Sequence, residues 1–287
     1  MLETMLKTSE VKKDIFYLMN KYSGIISRVE VELLLSYIFK CKAPHLYIND
    51  YVLDKETLEL FDSLAKRRLC GEPIQYITGS SEFMGMDFIV NKDVLIPRPE
   101  TEFLIGEVLR ITNSNLNILD LCTGCGNIAI SLARFMDRIN IVATDISGPA
   151  LRIARGNSIL HGVDKHITFH EGDLFDALPI DKSYKFDIIV CNPPYVKSAE
   201  LQFLQREVRY EPEVSLDGGE DGLEFYRSIE RVAPDYLKKN GGSLFLEIGL
   251  GQLEAIKGIF ISRNLFEIRN VNKDFSGIDR VLWISLL

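Results

Sequence analysis

Apolar positions recur at helical spacing early in the chain: Val31, Leu34, Leu35, Tyr37 and Ile38, then Leu58, Leu60, Phe61 and Leu64. Ser23 and Gly24 mark one break in this pattern and Pro44 another. Ser27 followed by Glu30 has capping-box spacing, which predicts a helix starting there. Residues 1–78 are therefore expected to form a bundle of about four or five helices. Residues 71–102 change character. Gly71, Pro73, Gly79, Gly85, Pro97 and Pro99 punctuate short β-type pieces, which read as a linker with a hairpin over 79–102. From residue 103 the pattern alternates. Strand-like runs fall at 117–121, 140–144, 167–171, 186–191, 243–248, 266–271 and 280–284. Helical patterns at 149–160, 224–239 and 252–263 lie between them. That alternation predicts an α/β domain over 103–287, with a seven-stranded, mostly parallel sheet covered by helices on both faces.

The chain has 287 residues, 46% of them hydrophobic and 26% charged. Those values suit a soluble globular protein of about two domains, long enough to bury a core without disulfides. Its 33 basic and 41 acidic residues leave a net charge of −8. Residues 1–80 hold eleven acids and eleven bases, so the whole −8 falls on residues 81–287. An acidic domain repels phosphate backbones, so no direct nucleic-acid partner is expected. The run Lys66-Arg67-Arg68 reads as a solvated face. No apolar run reaches the ~18 residues that span a bilayer, and charges are scattered through residues 1–20, so no membrane partner is expected. Five cysteines, an odd number, fit a reducing cytoplasm.

Ligands on such sheets bind at the carboxyl ends of strands, so the chemistry is sought there. The first parallel strand leads into Cys122-Thr123-Gly124-Cys125-Gly126, a glycine turn before a helix. The second ends in Asp145, whose carboxylate can accept hydrogen bonds from two ribose hydroxyls. This pattern also satisfies the dinucleotide fingerprint, so by itself it does not separate a nicotinamide cofactor from S-adenosyl-L-methionine. Beyond the third strand, Asp173 can accept from an adenine amine and Leu174 can pack on the base. The fourth strand ends Asn192-Pro193-Pro194-Tyr195. Two prolines cannot continue a central ladder, so the chain must leave the sheet there with its carbonyls free. The Asn192 side-chain oxygen and the Pro193 carbonyl then form two fixed acceptors for a planar –NH2 group, with Tyr195 as a flat wall. The chemistry indicated is methylation of a nitrogen conjugated to a π-system.

Asp-Leu-x-Thr-Gly-x-Gly at 120–126, Asp145 and Asn-Pro-Pro-Tyr at 192–195 resemble the class I S-adenosyl-L-methionine-dependent methyltransferases acting on planar nitrogens. That group includes adenine-N6 and protein-glutamine N5 enzymes. Gly-Glu-Pro-Ile-Gln-Tyr-Ile-Thr-Gly at 71–79 and Val-Leu-Ile-Pro-Arg-Pro-Glu-Thr-Glu at 94–102 narrow the resemblance to the release factor glutamine methyltransferase family. So do the segments 207–212, 216–223 and 274–280. The likeness covers residues 71–281, and the helical N-terminus matches only in length and character.

This resemblance implies a Rossmann-like methyltransferase sheet and transfer of a methyl group to the glutamine of the Gly-Gly-Gln motif in class I peptide-chain release factors. The cofactor would be S-adenosyl-L-methionine, leaving as S-adenosyl-L-homocysteine. Cys122, Thr123, Gly124, Cys125, Gly126, Asp145, Asp173, Leu174 and Asn192 would hold it, with Arg98 helping to frame the pocket. Asn192 and Pro193 would carry catalysis, and with Pro194 and Tyr195 would bind the substrate. The neutral N-terminal bundle would dock the release factor. Three positions depart from the family: Cys122 stands where glycine is usual, Cys125 where a small hydroxyl residue is usual, and Leu174 where an aromatic often stands.

Other readings are weaker. The pair Cys122-x-x-Cys125 lacks a second pair and overlaps the glycine turn, so no metal is expected. His161, His166 and His170 read as facing solvent or a helix. An adenine-N6 nucleic-acid methyltransferase would share Asn-Pro-Pro-Tyr but needs a basic recognition surface. A ribosomal-protein glutamine methyltransferase is the nearer alternative, and a non-catalytic interaction protein the most remote.

Overall fold

The computed structural model describes residues 14–110, 115–178, 184–239 and 241–287; the part of the expected bundle in residues 1–13 lies outside them. The chain divides into two compact units, Met1–Thr78 and Gly79–Leu287.

The first unit carries α1 (Ile15–Lys21), α2 (Arg28–Phe39), α3 (His45–Ile48), α4 (Lys55–Leu69) and α5 (Ile74–Thr78). The capping box at the head of α2 is closed on both sides. The Glu30 N–H donates to Ser27 Oγ at 3.2 Å, and the Ser27 N–H donates to the Glu30 carboxylate at 3.0 Å. Glu30 also pairs with Arg68 on α4, and Arg67 pairs with Glu72. Of the basic run, only Lys66 behaves as a purely solvated side chain; Arg68 is half-buried and ties α4 to the start of α2. Leu18, Leu34, Leu35 and Phe61 are fully buried at the centre. Tyr37 and Leu60 fall off the buried stripe and remain exposed, because the i, i+3, i+4 rhythm places Leu34, Leu35 and Phe61, Leu64 inward instead. Residues 74–78, punctuated like β-type chain, form a short helix because the Pro73 carbonyl accepts the N–H groups of Tyr76 and Ile77, both at 3.1 Å.

The second unit opens with a hairpin of β1 (Ser80–Phe83) and β2 (Met86–Ile89). Met84 and Gly85 join them with φ of 52° and 70°, the type I′ turn that matches strand twist. Next come α6 (Thr101–Arg110), β3 (Leu116–Leu121), α7 (Asn127–Phe135), β4 (Ile139–Asp145), α8 (Gly148–Leu160), β5 (Ile167–Glu171) and β6 (Ile188–Cys191). The chain finishes with α9 (Glu224–Val232), β7 (Ser243–Glu247), α10 (Leu253–Ile261), β8 (Phe266–Lys273) and β9 (Asp279–Leu286). The sheet has seven strands in the order β5-β4-β3-β6-β7-β9-β8. Its first five are parallel, and β9 runs antiparallel to both neighbours, so the sheet is mostly parallel. The helical pattern at 224–239 stops at Val232, where Pro234 removes a donor and the chain tightens into a 3-10 turn.

Alternation along the strands sorts the two faces. Leu119, Leu121, Ile189, Cys191, Leu244 and Leu246 join one core with Tyr226 and Ile229 of α9 and Ile256 and Phe260 of α10. The residues between them face the opposite side, where α6, α7 and α8 pack. Asp120 and Glu247 belong to that second face, and both sit at the carboxyl ends of their strands. Among the described residues, no helix is long and apolar enough to cross a membrane.

Replacing Ser27 by Ala is expected to cost about 1 kcal/mol at the start of α2. Amide hydrogen exchange should quicken in its first turn and stay unchanged in α4.

Candidate active site

The strand order reverses beside β3, with β4 and β5 to one side and β6 and β7 to the other. Loops leaving the carboxyl ends there part and leave a crevice. The glycine turn after β3 is fixed from the neighbouring strand. The Thr123 N–H donates to the Thr144 carbonyl at 3.0 Å, and the Gly124 N–H donates to Asp145 Oδ2 at 2.8 Å. The Ser147 N–H donates to the other carboxylate oxygen, Oδ1, at 2.9 Å. Burial raises the Asp145 carboxyl, and these two N–H groups act against that rise. Gly126 begins α7 with φ of 85°, and a Cβ there would lie 2.9 Å from Ile130 Cδ1 and 3.2 Å from Ala154 Cβ. The turn needs glycine there for both backbone and space. Cys122 has φ of 57°, a left-handed backbone that favours glycine.

Cys122, Gly124, Asp145, Asp173, Leu174, Asn192 and Pro194 line one cavity. The wall is mixed in a way that suits a nucleoside. Asp145 is held with a free lone pair on each oxygen, while Leu95, Ala150 and Leu174 supply an apolar slot. Thr123, Cys125 and Gly126 stand behind it. The Thr123 hydroxyl donates to Asp120 Oδ2 at 2.6 Å, and Asp120 also accepts from the Ala129 N–H at 3.3 Å, which locks the turn to α7. Cys125 is 1% exposed, and burial pushes its thiol up to about 12, so it stays protonated. Among the described residues, no cluster of His, Cys, Asp and Glu could hold a metal ion. His161 is engaged structurally, with Nε2 2.9 Å from the Asp87 carbonyl and its ring 5.0 Å from that of Phe88.

Arg98 is an ion-pair partner of Glu211 and not part of the cavity wall. The Glu211 carboxylate also accepts the Ile96 N–H at 3.0 Å. This tie fastens the segment before α6 to the segment at 208–215, which brings Pro212, Val214 and Ser215 onto the cavity.

The loop at 192–195 leaves the sheet after Cys191 and is backed by residues 216–222. The Val196 N–H donates to the Leu216 carbonyl at 2.9 Å, and the Gly218 N–H donates to the Val196 carbonyl at 2.7 Å. A Cβ on Gly218 would lie 2.7 Å from Tyr195 Cα, so only glycine permits this approach. The Tyr195 carbonyl accepts from Gln252 Nε2 at 3.0 Å. Burial pushes the Tyr195 phenol up to about 12. The Asn192 amide donates through Nδ2 to Thr101 Oγ1 at 3.2 Å, and the Thr101 hydroxyl donates to Glu247 Oε2 at 2.6 Å. Burial pushes the Glu247 carboxyl up to about 7, while the Thr101 hydrogen bond and nearby Arg280 pull it down.

Several lining residues carried no signal of their own in the sequence. Phe225 arrives from α9 and Ser147 from the cap of α8. Val94 and Leu95 lie in one of the family-like segments, which was the available signal for them.

The chain is similar to known proteins. A model of the methyltransferase small domain matches residues 100–220, and one of the PrmC N-terminal domain matches residues 25–79. The chain is 43% identical to the release factor glutamine methyltransferase of Geobacter sulfurreducens over 258 residues, covering 89% of this chain and 88% of that one. It is 40% identical to the protein of that name from Thermodesulfovibrio yellowstonii over 270 residues, covering 92% and 94%. A methyltransferase structure from Pyrococcus furiosus aligns over 78% of this chain and 98% of that one, with a TM-score of 0.55 at 17% identity, and shares the fold.

Burial pushes Asp120 from its ordinary 3.8 to about 7. Between these values the folded protein keeps a proton that the unfolded chain has released, so stability falls as pH rises through that window. Asp120→Asn cannot ionise. Its stability relative to the unmutated protein should therefore improve from about pH 4 to about pH 7, read as urea midpoints at several pH values. A constant difference in midpoint would contradict it.

Proposed function

The chain belongs to the release factor glutamine methyltransferase family, and from that premise we propose that the loop at 192–195 positions the target amide of a class I release factor. The chain is an S-adenosyl-L-methionine-dependent protein-glutamine N5-methyltransferase. The observation that carries the positioning role is the meeting of Asn192 and Asp145 in the walls of one cavity.

A glutamine amide nitrogen is a poor nucleophile because its lone pair is delocalised into the carbonyl. S-adenosyl-L-methionine supplies, when bound, a methyl group activated by a sulfonium and leaves as S-adenosyl-L-homocysteine. Cys122, Gly124, Asp145, Asp173 and Leu174 are the residues that would hold it, with Thr123, Cys125 and Gly126 setting the turn and Arg98 framing the pocket through Glu211. The Asn192 side-chain oxygen and the Pro193 carbonyl accept the two amide hydrogens. That holds the nitrogen facing the cofactor slot and favours its partial pyramidalisation. Positioning by fixed acceptors carries most of the rate, since no side chain removes a proton beforehand and the one proton the nitrogen must lose leaves to solvent after the N–C bond forms. Pro194 walls the site, with Tyr195 packed on the core beside it, and this limits water, which favours the loss of the sulfonium charge.

The partner reading is finer than the family name. The Gly-Gly-Gln glutamine of class I release factors is the proposed target. The first unit, charge-balanced and exposing Ile25, Val29 and Ile48, is the proposed docking surface. The acidic second unit supports a protein substrate over nucleic acid. Five free thiols suit a reducing cytoplasm as the place of action.

Mass spectrometry of release factor incubated with the enzyme and S-adenosyl-L-methionine tests the reading. One methyl group on the Gly-Gly-Gln glutamine is expected; methylation confined to a ribosomal protein or to nucleic acid would refute it. Asn192→Ala should abolish transfer while cofactor binding, followed by calorimetry, falls less.

A further inference from the structure

Register places an unassigned pair of buried side chains behind the amide-holding loop. Strands β6 and β7 are parallel neighbours, with Val190 beside Phe245 and Cys191 beside Leu246. One step further, Asn192 comes beside Glu247, and alternation sets both on the face covered by α6. Thr101, the first residue of α6, fills the space between them. Its hydroxyl lies 2.6 Å from Glu247 Oε2 and 3.2 Å from Asn192 Nδ2. Thr101 and Glu247 are each 1% exposed. A buried carboxyl is costly unless its environment uses it.

The hydroxyl has one hydrogen, and Glu247 in its ionised form can only accept. That hydrogen is therefore committed to Glu247, and only lone pairs of Thr101 Oγ1 face Asn192. A lone pair excludes the carbonyl end of the Asn192 amide and admits its –NH2 end. From this geometry we infer that Glu247 and Thr101 form a polarised relay that fixes the flip state of the Asn192 amide, so that Oδ1 faces the substrate. Both are positioning residues and act through Asn192. This inference rests on the proposed role of Asn192 and adds what determines its orientation. Without the relay the amide can turn over, and its –NH2 group then meets the –NH2 of the substrate, donor against donor.

Two substitutions separate the hydroxyl from the bulk of the side chain. Thr101→Val keeps the shape and removes the hydroxyl. It is expected to lower kcat on intact release factor about 10- to 100-fold, with KM and cofactor affinity little changed and Tm lowered because the buried Glu247 loses its donor. Thr101→Ser restores the hydroxyl and is expected to keep kcat within about threefold. An unchanged kcat in Thr101→Val, an equal fall in both variants, or a loss of cofactor affinity in step with kcat would overturn the relay. A second measurement needs no turnover and no change at Thr101 or Glu247. In the unmutated protein, the side-chain amide NMR signals of Asn192, assigned by their loss in Asn192→Ala, should show one proton shifted and protected from exchange. A freely exchanging pair overturns the relay even if the enzyme methylates release factor. Failure of the unmutated enzyme to methylate release factor counts against the proposed function and leaves the NMR result to judge the relay alone.

Discussion

Pro193 and Pro194 cannot donate to a sheet, and the site depends on that lack. Strand β6 lies in the interior, between β3 and β7, where a continuing chain would have met a partner on both sides. Instead the chain turns out immediately after Cys191 and exposes Asn192 beside the cavity. The turn would be floppy if left alone. Residues 216–222 support it through main-chain hydrogen bonds, and Gly218 lets them come within contact of the Tyr195 backbone. A loop forced out of the ladder and then clamped from behind can hold acceptors in fixed directions, which positional catalysis requires.

Three carboxyls stand at or next to the carboxyl ends of parallel strands: Asp120 on β3 and Glu247 on β7, both buried, and Asp145 on β4, half-buried. Desolvation raises all three, yet their uses differ. Asp120 fastens the glycine turn to α7 through Thr123 and the Ala129 N–H. Asp145 takes N–H groups from Gly124 and Ser147 and faces the cavity. Glu247 accepts from Thr101, which in turn accepts from Asn192 in the cavity wall. The protein thus spends stability at the strand ends to build rigid, directed hydrogen bonds around one pocket.

The two units differ in charge as well as in architecture. The helical unit is balanced, while the sheet unit carries the excess of acid. Within the helical unit, Glu30 serves the cap of α2 and the pairing of Arg68 together, so a residue readable as a local signal is also a tertiary tie.

Sequence alone determined the features that depend on local chemistry. The capping box at Ser27, the alternation of strands and helices, the glycine turn at 124–126 and the proline-terminated strand each follow from what neighbouring residues can and cannot do with their own backbone. The end of α9 is not read this way: the pattern runs to 239, while the helix stops at Val232, ahead of Pro234. Which distant side chains meet was decided by tertiary structure. Nothing near Arg98 in the sequence marks its partner, yet Glu211, more than a hundred residues away, engages it. Thr101 and Glu247 are unremarkable in one dimension and become a relay to Asn192 because parallel register sets two strand ends side by side under the start of α6. Local pattern specifies what each segment becomes; the register between strands and the packing of helices over them specify the partners, because those distances are set by the whole sheet and not by any one segment.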